Sequence, residues 1–270
     1  MSKNIKQSQF FVNSDFEAFD EKFATSEEEK IIGNRQYVVD NRFKYLHYDE
    51  GSREGLLDFF RQHNLHPHWQ KTHLTNVIWP FPIANGGYVD YVRMGYGKDS
   101  LLVKELARRT GVFTEITDQG VREAIAFFCV TQLQVGLNQY GWWINLYIDK
   151  KGWIEEYNLL EKIRSSVKLR KEFLDLLIDI NKEGYKFYIT LHPDEDINYN
   201  ENNPEDFIST LEKLKIAKKS FSISIEKFYE KDAIENNHNM LNYLKGEFAK
   251  LVPLYNFMSW HPQHNNYLGI

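Results

Sequence analysis

From residue 88 onward the chain alternates between short apolar runs and longer stretches of helical spacing, and this alternation restricts the fold more than any other feature. Strand-length runs rich in Val, Ile, Phe, Tyr and Trp occupy residues 88–94, 112–116, 142–148, 185–191 and 221–228. Between them, apolar positions recur every three or four residues. That period predicts helices near 100–109, over 119–139, over 153–182 with a break at Ser165-Ser166, near 204–215 and near 238–251. Strands separated by helices of about ten or more residues point to βαβ-like units, and right-handed crossovers would then place helices on both faces of the sheet. The expected fold is α/β: a three-layer core with a largely parallel or mixed sheet that holds all five strands.

Residues 1–85 read as a smaller N-terminal α+β segment and 86–270 as the α/β core domain. The boundary falls in the irregular stretch 63–87, which holds three of the seven prolines and ends in Asn85-Gly86-Gly87. Within the N-terminal segment Phe16, Phe19 and Phe23 have helical spacing. Tyr37, Val39, Phe43 and Tyr45 suggest two strands turned at Asp40-Asn41, and Leu56, Leu57, Phe59 and Phe60 mark a short helix.

Composition bounds the function classes. With 270 residues and 42% hydrophobic content the chain can bury a large core without staples. Its single cysteine, Cys129, lies in the apolar run Phe127-Phe128-Cys129-Val130, reads as a core residue, and leaves no internal disulfide. That leans towards a reducing compartment. A formal net charge of −5 gives no bulk electrostatic grip on nucleic acid. No apolar stretch approaches the roughly 18 residues of a spanning helix, and no apolar segment follows the first few residues. A soluble, cytoplasmic protein without membrane attachment is expected.

The sharpest local signal is Gly95-Tyr96-Gly97-Lys98-Asp99-Ser100, between an expected strand and an expected helix. Two glycines permit close backbone approach, a helix N-terminus offers unpaired N–H groups, and Lys98 adds charge, a combination suited to phosphate. These residues resemble the PP-loop of the ATP-pyrophosphatase-type enzymes, Ser-Gly-Gly-x-Asp-Ser at a strand-to-helix turn. Gly97, Asp99 and Ser100 match it, Lys98 fills the variable place, and Gly95 and Tyr96 stand where serine and glycine are expected. The likeness spans about 30 residues, from Tyr88 to Asp118. It implies a nucleotide-binding protein that takes ATP and Mg²⁺ and adenylates a substrate, with catalysis impaired by Tyr96. The same residues also fit an ordinary turn in which Asp99 or Ser100 caps the following helix.

Other constellations are less defined. His63, His66, His68 and His73 fall within eleven residues, and His66 and His68 could share a metal on an extended segment. His261 and His264 form a second pair. Arg108 and Arg109 could face a nucleic acid backbone if residues 101–109 and 121–137 formed a helix-turn-helix pair. Asp90 could open a nuclease-type carboxylate set, but no Glu-x-Lys follows it, and the adjacent Glu226 and Lys227 would point to opposite faces of their strand. Trp69, Trp79, Trp142, Trp143, Trp153 and Trp260 could stack on bases or fill the core. Residues 221–229 with the helix after them resemble the DNA-reading modules of McrB-type restriction proteins. That likeness implies the alternative function, a non-enzymatic nucleic-acid-binding module of a prokaryotic restriction or antiviral defence assembly with protein partners.

Overall fold

The computed structural model describes residues 9–47, 55–67, 87–109, 127–192, 198–216 and 220–269. Its centre is one seven-stranded sheet built from β1 (His66–Pro67), β2 (Tyr91–Gly97), β3 (Gln132–Asn138), β4 (Gly141–Ile148), β5 (Lys186–His192), β6 (Asn198–Glu201) and β7 (Ser220–Glu230). The order across the sheet is β1-β2-β3-β4-β7-β5-β6. Every pairing is antiparallel.

This corrects the expected parallel or mixed three-layer sheet, and two local facts explain why. First, residues 132–138 are a strand where a helix was expected. Leu133, Val135 and Leu137 are buried in the main core while Gln132, Gln134, Gly136 and Asn138 face the other way. A tight turn at Gln139-Tyr140 follows, in which Asn138 Oδ1 accepts from the N–H groups of Tyr140 at 2.9 Å and Gly141 at 3.1 Å. A hairpin therefore stands where a crossover was anticipated. Second, the helices between β4 and β5 do return the chain to a strand running the same way as β4. However, β7 lies between them and is antiparallel to both.

Four of the five expected strands, those near 88–94, 142–148, 185–191 and 221–228, lie in this sheet, while residues 112–116 fall outside the described residues. The helix expectations fare well after residue 150. The helices α6 (Trp153–Ser165) and α7 (Val167–Lys182) are divided at Ser166, whose backbone is extended and whose Oγ accepts from Leu169 N at 3.4 Å. Helices α8 (Pro204–Ile216) and α9 (Met240–Met258) complete this part.

The N-terminal segment is helical where strands were expected. Helix α1 (Asn13–Glu17) is followed by α2 (Glu29–Val38), a wide π turn (Val39–Phe43) and α3 (Lys44–His47); α4 (Leu56–Gln62) comes later. Val38, Val39, Phe43 and Leu46 point inward, whereas Tyr37 and Tyr45 are exposed, so the alternation at 37–45 belongs to no buried strand face. The Arg35 guanidinium is buried and donates to the carbonyls of Ala18, Phe23 and Val89, tying the start of the sheet region to these helices.

One hydrophobic cluster joins Phe11, Phe16, Phe19 and Phe43 to the inward residues of the sheet and to α6–α9. Trp142, fully buried, stacks on Tyr229 at 4.0 Å and meets Phe11 at 6.3 Å. Burying one such side chain contributes about 1.5–3 kcal/mol. A smaller cluster holds Val103, Leu106 and Ala107 of α5 (Ser100–Arg109) with Cys129, Val130, Ile154 and Trp260, so the free cysteine is a core residue as expected. The main cluster packs α6–α9 against one face of the sheet, and among the described residues the other face carries the polar side chains Gln132, Gln134, Asn145 and Glu226. No helix among the described residues is long and apolar enough to cross a membrane.

Candidate functional site

The Gly95–Ser100 stretch does turn directly from strand into helix: β2 ends at Gly97 and α5 begins at Ser100. The side chains of Tyr96, Lys98 and Asp99 have internal roles, whereas Ser100 is exposed. Asp99 Oδ1 accepts from Leu101 N at 2.8 Å and Leu102 N at 3.1 Å, so its carboxylate caps α5. Tyr96 is fully buried, stacks on Phe60 at 3.9 Å, and its hydroxyl lies 2.8 Å from His47 Nδ1. Lys98 is also buried, and its Nζ sits 2.5 Å from Glu155 Oε1. Burial lowers the Lys98 pKa, and Glu155 followed by Asp99 opposes that shift. The Glu155 carboxylate accepts from Trp260 N at 2.8 Å and from Thr131 N as well, so one buried anion fastens β2, the start of β3, α6 and the segment after α9. Lys98 is one partner in this tie, and its ammonium is turned to Glu155.

The fold gathers several of the other candidates around the same turn. His66 pairs across β1–β2 with Gly97 and is exposed, as is His63. His261 and His264 stack at 3.8 Å, and the charges of Lys98 and Asp99 reach His261. Burial lowers the His261 pKa, with His264 and Lys98 adding to it. Even so, no group of three His, Cys, Asp or Glu side chains able to hold a metal occurs among the described residues. His68, His73, Trp69 and Trp79 lie outside the described residues. Arg108 and Arg109 both pair with Glu105 on their own helix, and the strand at 132–138 removes the second helix of the expected helix-turn-helix pair.

A more open site lies on the polar face of the sheet. A cavity of about 550 Å³ is lined by groups from five strands, among them Arg93, Gln134, Trp143, Asn145, Tyr188 and Glu226. Strand register sets its layout. Gln134, Asn145 and Glu226 are direct neighbours on β3, β4 and β7 and form one polar row, while Trp143 stands opposite Gly136 in the next. A side chain at Gly136 would meet the Trp143 indole at 2.2 Å, so the missing Cβ is what allows this ring to lie over β3. Tyr147 and Tyr188 flank the row at Ser224, which pairs with both.

The hydrogen bonds run along the row. Asn145 Nδ2 donates to Ser224 Oγ at 3.1 Å and reaches Glu226 Oε2 at 3.5 Å. Arg93 Nη1 donates to Gln134 Oε1 at 3.4 Å, and Gln134 Nε2 passes the chain to Gln132 Oε1. Three rings surround the Arg93 guanidinium: Tyr91 at 5.5 Å, Phe128 at 5.4 Å and Tyr147 at 5.4 Å. Among the described residues no carboxylate pairs with Arg93. Burial raises the Glu226 carboxyl above its ordinary range against the hydrogen bonds from Ser224 and Asn145, and burial likewise raises Asp90. Tyr147 is raised by burial and then by Asp149, whose carboxylate its hydroxyl meets at 3.2 Å.

Sequence spacing named Asp90, Glu226 and Trp143 only in passing, and Arg93, Gln134 and Asn145 not at all. The available signal was the polar set at every second position of four strands, legible only once β3 is read as a strand. Glu226 and Lys227 do take opposite faces, with Lys227 Nζ 3.3 Å from Glu247 on the helical side. Of the other tryptophans, Trp142 and Trp260 are core and Trp153 is partly exposed on α6. No protein-family model matches this chain, and a search of curated proteins gives no match.

Proposed function

We propose that this protein binds a small ligand built on a flat, hydrogen-bonding ring, of the nucleobase class, in the cavity on the polar face of its sheet. The observation that carries this reading is the polar row Gln134–Asn145–Glu226 flanked by the rings of Trp143, Tyr147 and Tyr188. Amides and a carboxyl supply donors and acceptors for the edge of a heterocycle, and the rings supply stacking surface. The cavity volume lies within the range of small-molecule sites. The strand-to-helix turn serves this reading as scaffold: Asp99 holds α5 in place, and Lys98 locks the end of β2. The nucleotide class suggested by the sequence is kept, with its contacts moved from Gly95–Ser100 to the sheet face.

A single strand of nucleic acid is the competing occupant, because aromatic rings on a sheet also stack successive bases. Asp90, Asp149 and Glu226 at this face oppose a polyanion. Calorimetry with the four ribonucleosides and with short oligonucleotides separates the two. Saturable nucleoside binding that Trp143→Ala weakens about tenfold or more supports the proposal. Salt-sensitive oligonucleotide binding without nucleoside binding overturns it.

A further inference from the structure

We infer that the ligand of this face carries a single anionic group, such as one phosphate monoester, and that Arg93 is the residue that selects for it. The inference rests on the binding-face reading above and specifies the charge of the ligand. Arg93 is half-buried at the cavity wall. One of its N–H groups is held by Gln134, and aromatic rings on three sides restrict the remaining donors. Among the described residues it has no anionic partner, although Asp90, Asp149 and Glu226 are all at this face.

Partial burial without a counter-ion is costly for a charge, and an incoming phosphate or carboxylate removes that cost through a two-pronged contact. The aromatic collar also makes the geometry selective. A planar guanidinium stacks against rings and still presents its edge, which an ammonium cannot reproduce. The number of charges follows from the surroundings. Arg93 is the cation in the cavity lining, with Lys151 over the Phe128 ring and Lys186 opposite Glu226 beside it, and it matches one anionic group, whereas a triphosphate would press its further charges against Asp90 and Glu226. The nucleoside monophosphate is therefore preferred to both the nucleoside and the triphosphate.

The test is calorimetry on the whole protein with each ribonucleoside, its 5′-monophosphate and its 5′-triphosphate, using the parent, Arg93→Gln and Arg93→Lys. The expected result is one base whose monophosphate binds at least about tenfold more tightly than its nucleoside and than its triphosphate. Arg93→Gln should abolish the gap between monophosphate and nucleoside, and Arg93→Lys should restore only part of it. A far-ultraviolet spectrum and denaturation midpoint matching the parent establish that each variant is folded. Equal affinity for nucleoside and monophosphate, or a monophosphate preference that survives in Arg93→Gln, overturns the inference and leaves the face as a nucleoside site. Absence of binding by every compound overturns the face reading and the inference together.

Discussion

His47 provides a test of how tightly the N-terminal helices close on the sheet. Its ring lies at the end of α3, stacks near Tyr96 and places Nδ1 2.8 Å from the tyrosine hydroxyl. Burial, with a smaller contribution from Arg61 that outweighs Asp58, lowers its pKa from 6.5 to about 4. The folded protein therefore prefers the neutral ring, and the unfolded chain takes up the proton first. This contribution is full above pH 6.5 and is lost as pH falls towards 4. Integrating the linkage between pH 7.5 and pH 5 gives about 2 kcal/mol of lost stability, rising to about 3 kcal/mol once pH passes below the folded value. Replacing His47 with Gln keeps a polar side chain and removes the titration. Urea unfolding of parent and variant at pH 7.5 and pH 5.0 provides the comparison, and the difference between the proteins cancels every other titrating group. The variant should gain about 2 kcal/mol relative to the parent on going to pH 5. Parallel pH profiles, with a relative change under about 0.5 kcal/mol, would refute the claim that His47 is held neutral by burial.

Three further substitutions probe buried charge. Lys98→Met should cost about 3–5 kcal/mol by leaving Glu155 uncompensated, and adding Glu155→Gln should recover part of it, both read from urea midpoints. Glu156 is fully buried, its pKa is raised by burial and then by Asp149, and its Oε1 has no hydrogen-bond partner among the described residues. A raised carboxyl stabilises the fold below its unfolded value near 4.5 and loses that contribution as pH climbs through the folded one. Glu156→Gln should therefore be more stable than the parent at pH 8, with the advantage shrinking by up to about 1.4 kcal/mol per pH unit on acidification; an advantage independent of pH would be the contrary result.

What the sequence made legible followed from period and caps. Strand β4 stands out because Trp142, Ile144, Leu146 and Ile148 alternate with Trp143, Asn145 and Tyr147, and the division of α6 from α7 is written in Ser166. Strand β3 was hidden because Phe127, Phe128, Cys129 and Val130 run into Leu133 without a break, giving a helix-length apolar stretch. Its hairpin turn, Gln139-Tyr140, also lacks the Asn-Gly or Asp-Gly signature. Reading that strand as a helix, and not seeing that β7 would enter between β4 and β5, turned an antiparallel sheet into the expected parallel or mixed one. Lys98 and Asp99 were legible as special, but nothing local indicates that Glu155, 57 residues further along, awaits the lysine. The cavity-lining set was out of reach for the same reason, since register between distant strands decides which side chains share a face.

The polar side chains on the inner side of α6 have a consequence for how the molecule is made. Glu155 needs Trp260 N, Asn158 donates to Asn265 O at 3.0 Å and accepts from Tyr267 N at 2.6 Å, and Lys162 donates to Phe257 O at 3.0 Å. Each partner lies about a hundred residues downstream. During synthesis at roughly 5–20 residues per second, α6 thus spends about 5–20 seconds with Asn158 and Lys162 lacking these partners and Glu155 met only by Lys98 and Thr131 N. Docked early, each of those groups would cost about 1–3 kcal/mol. A nascent chain halted before Phe257 should therefore remain sensitive to protease throughout α6.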